Sequence, residues 1–261
     1  MNITVAQLKE LLGGQPDSDP AIEYAVTGNT EIQGWIEPGI LPIVFALDAI
    51  HKKLSITGGA MEIGVHHGRF FIALANVCDS TAEFVAIDVF EDQHKNIDGS
   101  GKGNEQEFRA SIEKYCDKPV ESISIIKADS LGLRAGAHSA LNPGMFRLIS
   151  IDGGHTAAHT FNDLVLAEQL VADGGVVFVD DILHPDWMGV MEGLIKYRLF
   201  SAGVLVPFLV TANKMVLAKA THHGTYMEFF AKKFPLARKK SYKWMGEYLT
   251  VGYAPTLIPD E

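Results

Sequence analysis

The hydrophobic pattern of the chain alternates between two periods. Ile43, Leu47, Ile50 and Leu54 recur at offsets of four, three and four, the stripe of a helix, and "SITGG" ends it. Apolar runs of strand length then appear at "AMEIGV", "EFVAIDVF", "SISIIKA", "FRLISID" and "GVVFVDD", separated by helix-spaced stretches or by turns. In "TAAHTFNDLVLAEQLVADGG", Phe161, Leu164, Val165 and Leu170 share a helix face, and Gly174 with Gly175 reads as the stop. Strands alternating with helices imply right-handed crossovers and a mostly parallel sheet covered on both faces. After residue 200, "VLVPFLV", "TAN" and "KMVLAKA" spell two strands and a tight connection, with Pro207 placing its strand near an edge or bulge. The expectation is a doubly wound α/β fold whose seven-stranded sheet ends in an antiparallel C-terminal hairpin.

The break "GGQPDSDP" at residues 13–20 sets off a short amphipathic helix. We therefore expect a helical cap over 1–57, a central domain over 58–220 and an extension over 221–261 packed on that domain.

Composition narrows the class. Hydrophobic residues at 47% and charged residues at 21% suit an ordinary globular chain of 261 residues. No apolar run approaches the roughly 20 residues that cross a bilayer, and "MNITVAQLKELLGG" lacks a basic start, so a cytoplasmic protein is expected. Two cysteines, Cys78 and Cys116, are too few for a disulfide framework and read as small buried hydrophobes. The net charge of −10 disfavours nucleic acid as a partner. Residues 232–243 nevertheless hold six basic groups beside Phe229, Phe230, Tyr242 and Trp244; this run reads as a solvated helix face with an apolar underside.

Ligands of open parallel sheets bind beyond the carboxyl ends of the strands. Those ends carry Glu62, Gly64 and Gly68, then Asp88, Asp129, Asp152, and the pair Asp180 and Asp181. The turn G-V-H-H-G puts His66 where a dinucleotide fingerprint has its middle glycine, which speaks against pyrophosphate and leaves room for a phosphate-free nucleoside ligand. "EIGVHHG", the acid of "AIDVF", "KADS", "SIDGGH" and "LVADGGVVFVDD" together resemble the class I S-adenosylmethionine-dependent methyltransferases. The resemblance is to their macrocin O-methyltransferase-like, sugar and small-molecule type, over about residues 58–220. It implies a Rossmann-like methyltransferase fold, with Glu62, Gly64 and Gly68 against the methionine part of the cofactor, Asp88 on the ribose hydroxyls and Asp129 near the adenine. His66 departs from the glycine-rich form, although the looser E-x-G-x-x-x-G version accepts side chains there.

Adjacent parallel strands lie about 4.8 Å apart, so Asp152, Asp180 and Asp181 converge if their strands are neighbours. Three carboxylates without cations repel, and a hard ion such as Mg²⁺ would relieve them; the resemblance implies the same acid and acid pair. An alcohol must lose its proton as it attacks a sulfonium methyl. His155 is the candidate base, Asp152 the alternative, or both serve the metal. His155 and His159 have zinc spacing, but "HTAAH" lacks the glutamate of H-E-x-x-H, and His159 reads as a helix residue. His66 and His67 read as turn residues or substrate contacts, and His184 and Trp187 as walls of an acceptor pocket. Residues 91–106, "EDQHKNIDGSGKGNEQ", fail the P-loop pattern and read as a lid. The expected function is O-methylation of a hydroxyl on a sugar or small natural product, assisted by Mg²⁺, with a homo-oligomer left open. The alternatives are an RNA methyltransferase gripping with the basic tail, and a cofactor-binding protein without catalysis. A nicotinamide oxidoreductase fits less well because of His66.

Overall fold

The computed structural model describes residues 1–14, 19–201 and 203–260. Part of the break read at 13–20 therefore lies outside the described residues.

The central sheet forms around β2 (Gly59–Ile63), flanked by β3 (Phe84–Asp88) and β4 (Ile123–Lys127) on one side and β5 (Phe146–Ile151) and β6 (Val171–Val179) on the other, all parallel. Strand order reverses between β2 and β5, which opens a crevice at their carboxyl ends. β8 (Lys214–Lys219) lies antiparallel to β6, and β7 (Leu205–Thr211) antiparallel to β8, giving the expected seven strands. Two more follow: β10 (Glu247–Tyr253) runs parallel to β7, and β9 (Ala237–Trp244) pairs antiparallel with β10 at the edge. The sheet thus has nine strands, and a separate two-stranded ribbon joins β1 (Asn2–Thr4) to β11 (Thr256–Ile258).

Alternation along the strands divides the core. On β6, Val177 and Val179 join the cluster under α6 (Ala157–Leu170) and α7 (Met188–Phe200), whereas Val176 and Phe178 face the opposite cluster. That second cluster includes α3 (Ile40–Leu54), α4 (Arg69–Asn76) and α8 (Ala220–Lys232). α3 is buried nearly all round rather than along one stripe, and its Leu54 is exposed. Cys78 is buried, while Cys116 is half-buried.

Two local readings change, and a third is settled between its alternatives. α6 ends at Leu170 and its residue Val171 already belongs to β6; Gly174, with φ of 81°, sits where the β5–β6 register shifts, so it serves a bulge and not a helix stop. Pro207 also marks a bulge, between β7 and β8, but β7 is paired on both sides and is no edge. The basic run is not a helix face. α8 stops at Lys232, and Arg238, Lys239, Lys240 and Lys243 lie on β9, where an exposed lysine-rich edge discourages pairing with another strand. Phe230 is fully buried in the core, as an apolar underside requires. No helix among the described residues is long and apolar enough to cross a membrane.

Candidate active site

The strand ends open into a cavity of about 690 Å³. Its floor is the turn from β2 into α4. Gly64 has φ of 85°, and a Cβ there would stand 1.8 Å from the Asp152 carbonyl oxygen, so only glycine fits between the two strand ends. Gly68, φ 89°, turns the chain into α4, and His66 between them is also left-handed at φ 50°. The backbone N–H of His66 donates to Asp88 Oδ2 at 2.8 Å, and that of Phe90 to Oδ1 at 2.6 Å. Burial pushes the Asp88 carboxyl up, while these two donors oppose it. His66 stacks on His67 at 3.9 Å, and burial lowers the pKa of both.

Asp129 caps the short turn after β4, accepting from the Leu131 N–H at 2.9 Å. His159 Nε2 lies 3.3 Å from the same carboxylate and its Nδ1 2.7 Å from Thr156 Oγ1, so this buried histidine ties α6 to the β4 end. It does not pair with His155 in a metal group. Among the described residues, the group with ligand atoms within 4.8 Å of one another is Asp152, His155 and Asp181. His155 Nε2 is 3.1 Å from Asp181 Oδ2 and 3.9 Å from Asp152 Oδ1, while its Nδ1 is 2.8 Å from Asp98 Oδ2. Burial alone would lower the His155 pKa, but hydrogen bonds with Asp152, Asp181 and Asp98 outweigh it and raise the value to about 10.

Asp180 stands apart from this group. Lys214, fully buried, donates to Asp180 Oδ2. Burial pushes Asp180 up to about 7 against the pull of that ammonium. Glu62, buried behind them near Ser150, is raised to about 8, again chiefly by burial. The acids of the strand ends are therefore not unpaired, as their spacing in sequence suggests, because Lys214 and His155 stand among them.

Residues 61–182 match the family described as a methyltransferase domain. That stretch runs from β2 through β6, so the likeness to a methyltransferase domain falls on the strands and turns that build the cavity. Similar solved structures include the O-methyltransferase NovP, at 15% identity and a TM-score of 0.57 over 69% of this chain and 79% of that one. A Corynebacterium glutamicum protein reaches a TM-score of 0.54 at 14% identity over 82% and 95% of the two chains. The calicheamicin methyltransferase CalS11 reaches 0.51 at 18% identity over 82% and 90%. None of the curated proteins matches in sequence.

The fold brings further residues to the cavity that sequence reading passed over. Ala212 and Asn213, both left-handed, make the two-residue turn between β7 and β8, which delivers Asn213 and Lys214 to the site. Asn213 Nδ2 donates to Asp181 Oδ1 at 2.7 Å, and Asp181 itself is left-handed at φ 57°. The polar segment read as a lid runs along the cavity. Its Asp98 accepts from the His155 backbone N–H at 2.9 Å and from Ser100 Oγ at 2.5 Å, and burial of Asp98 is outweighed by these donors, which hold it at about 2. Trp187 stacks on His155 at 4.4 Å and His184 on Trp187 at 5.9 Å, which makes one wall an aromatic stack. The opposite rim is a strap from the N-terminal region, where exposed Trp35 lies 5.7 Å from His66.

Proposed function

We propose that the methyltransferase domain moves the methyl group of S-adenosylmethionine to a hydroxyl of a sugar or other small natural product, with a divalent cation at the acid cluster. One observation carries this reading: Asp152, His155 and Asp181 open into the same cavity as the glycine turn and Asp88. The cavity's size suits a nucleoside donor together with a small acceptor. In this reading Asp88, at the end of β3, takes the ribose hydroxyls, Asp129 meets the adenine side and Gly64 the methionine side, while Glu62, buried behind the turn, and Gly68 do not line the cavity.

The donor set fits a cation: Asp152 and Asp181 supply carboxylate oxygens and His155 a ring nitrogen, with Asp180 held back by Lys214. Carboxylates suit Mg²⁺, and the imidazole adds a preference for Mn²⁺. When bound, such an ion lowers the pKa of an acceptor hydroxyl and neutralises the carboxylates around it. Without it, His155 is the internal cation. Asp152 is held ionised against its own burial, because His155 and Lys214 both favour its charge. Asp152 is therefore the better proton acceptor, and His155, charged at neutral pH, is its partner rather than the base. Trp187 and His184 offer flat faces to an acceptor ring, and the segment carrying Asp98 excludes water from the activated oxygen.

Calorimetric titration with S-adenosylmethionine, followed by a screen of sugar and small phenolic or alcohol acceptors with Mg²⁺, Mn²⁺ or chelator, tests the proposal. Cofactor binding with cation-dependent methyl transfer to a hydroxyl supports it. Failure to bind the cofactor sinks it, and transfer indifferent to chelator removes the cation.

A further inference from the structure

The cavity is rich in acids and poor in cations. Glu37, Asp88, Asp129, Asp152, Asp180 and Asp181 all line it. Of the lysines and arginines on its walls, Lys214 is engaged by Asp180 and Lys95 by Asp92 at 2.8 Å. Arg69 is different. It is the first residue of α4, immediately after Gly68, and its guanidinium meets only neutral oxygens: Nη1 donates to the Gly34 carbonyl at 2.5 Å and Nη2 reaches Asn29 Oδ1 at 3.4 Å. Its Nε is buried and has no hydrogen-bond partner. Nor does any carboxylate raise its pKa, which burial lowers.

A half-buried arginine held by carbonyl oxygens, with a donor left over, sits in a geometry that a carboxylate completes. The donor molecule brings one. The methionine end of S-adenosylmethionine is a zwitterion whose carboxylate enters a pocket lined by six acids, and Arg69 is the arginine or lysine of that lining not already paired with a carboxylate. Arg69 stands at the glycine turn, close enough to the strap that a Cβ added to Gly34 would lie 3.5 Å from its own Cβ.

We propose that Arg69 takes the carboxylate of the donor's methionine end. The inference rests on the methyl-donor reading, and it assigns a residue that neither the glycine turn nor the strand-end acids supply. It also gives the N-terminal strap a part in cofactor binding, because Gly34 and Asn29 fix the guanidinium that would do the holding.

Two ligands that differ at this end separate the possibilities: S-adenosylhomocysteine carries the amino-acid group, and 5′-methylthioadenosine lacks it. Both are titrated calorimetrically against the wild-type protein, Arg69→Gln and Arg69→Lys. The expected result is that Arg69→Gln weakens S-adenosylhomocysteine about ten- to a hundredfold, the usual loss of a charged hydrogen bond, and leaves methylthioadenosine within about twofold. Arg69→Lys, which keeps the charge and loses the fork, should retain part of the affinity. Unchanged binding of S-adenosylhomocysteine to Arg69→Gln overturns the inference. Equal weakening of both ligands overturns it as well, since Arg69 then only anchors the strap. A wild-type protein that binds neither ligand defeats the methyl-donor reading and this inference together, whereas binding of both with no selective loss removes the inference alone. Retained methylthioadenosine binding also certifies that the variant has folded.

Discussion

Replacing Asp163 with asparagine should make the protein more stable at and above neutral pH, with the advantage growing as pH rises from 3.8 to about 7 and level beyond that. Asp163 lies on α6, 0% exposed, with a 3.3 Å contact from Asn162 Nδ2 to its Oδ1 and, among the described residues, no geometric hydrogen bond to its Oδ2. Burial raises its pKa to about 7 from an ordinary 3.8, although Ser130 and Asn162 pull the other way. The folded state therefore holds this proton where the unfolded chain has released it. Its contribution is intact below pH 3.8 and is lost progressively as pH rises toward 7, so stability falls across that window. A shift of about three units corresponds to roughly 4 kcal/mol at pH 8. Asparagine removes the titration, and any amide N–H that it leaves without an acceptor adds a pH-independent cost of about 1–3 kcal/mol. The quantity to measure is therefore a slope. Urea denaturation of wild type and Asp163→Asn at pH 5 and pH 8 should show the difference moving in favour of the variant by roughly 2–3 kcal/mol. A difference that stays constant between those pH values, or one that moves toward the wild type, would refute the argument that this carboxyl is kept protonated by burial.

Lys214→Met should destabilise the protein by about 3–5 kcal/mol, because it leaves Asp180 buried without its cation; a melting temperature equal to the wild type's would contradict this. Gly64→Ala should abolish S-adenosylhomocysteine binding and lower the melting temperature, since the new methyl overlaps the Asp152 carbonyl oxygen at 1.8 Å and the φ of 85° is strained for alanine. Retained affinity, read by calorimetry, would mean that the two strand ends can part without harm.

The parallel half of the fold was legible because its signals are local. Each apolar run from "AMEIGV" to "GVVFVDD" is bounded by a turn or a helical stretch, and the acid at each strand end lies within the run that announces it. The C-terminal strands were hidden for an equally physical reason. In β9 the sequence "ARKKSYKW" covers an exposed edge, so charge fills positions where alternation would normally show. Gly174 was misread because a glycine that stops a helix and one that permits a bulge look alike until the partner strand is known. The site divides along the same line. The cavity gathers Gly64 and the strand-end aspartates, with Glu62 buried behind it, whereas Arg69, Asn213 and Lys214 reach it from the start of α4 and a hairpin turn, and Asp98 touches His155 from a long polar segment, positions that only tertiary structure sets. One signal was available. A lysine opening the otherwise apolar strand "KMVLAKA" is costly to bury, and a cluster of aspartates at the same end of the sheet supplies a reason to bury it.

That lysine alters the argument for a metal. The sequence places Asp152, Asp180 and Asp181 together and leaves their repulsion unsolved. In the folded chain the burden is distributed: Glu62 is raised to about 8 and stays protonated at neutral pH, Lys214 compensates Asp180, and the charged His155 lies between Asp98, Asp152 and Asp181. On the proposed cation reading, an ion held by Asp152 and Asp181 would compete with the proton on His155 Nε2, since that nitrogen is 3.1 Å from Asp181. Cation uptake and release of that proton are then one event, and affinity for the ion rises with pH until the imidazole is neutral. Asp98 gains importance from the same exchange. Held 2.8 Å from Nδ1, it keeps the ring oriented in either state, so the polar segment that carries it is tied to the centre of the chemistry rather than merely covering it.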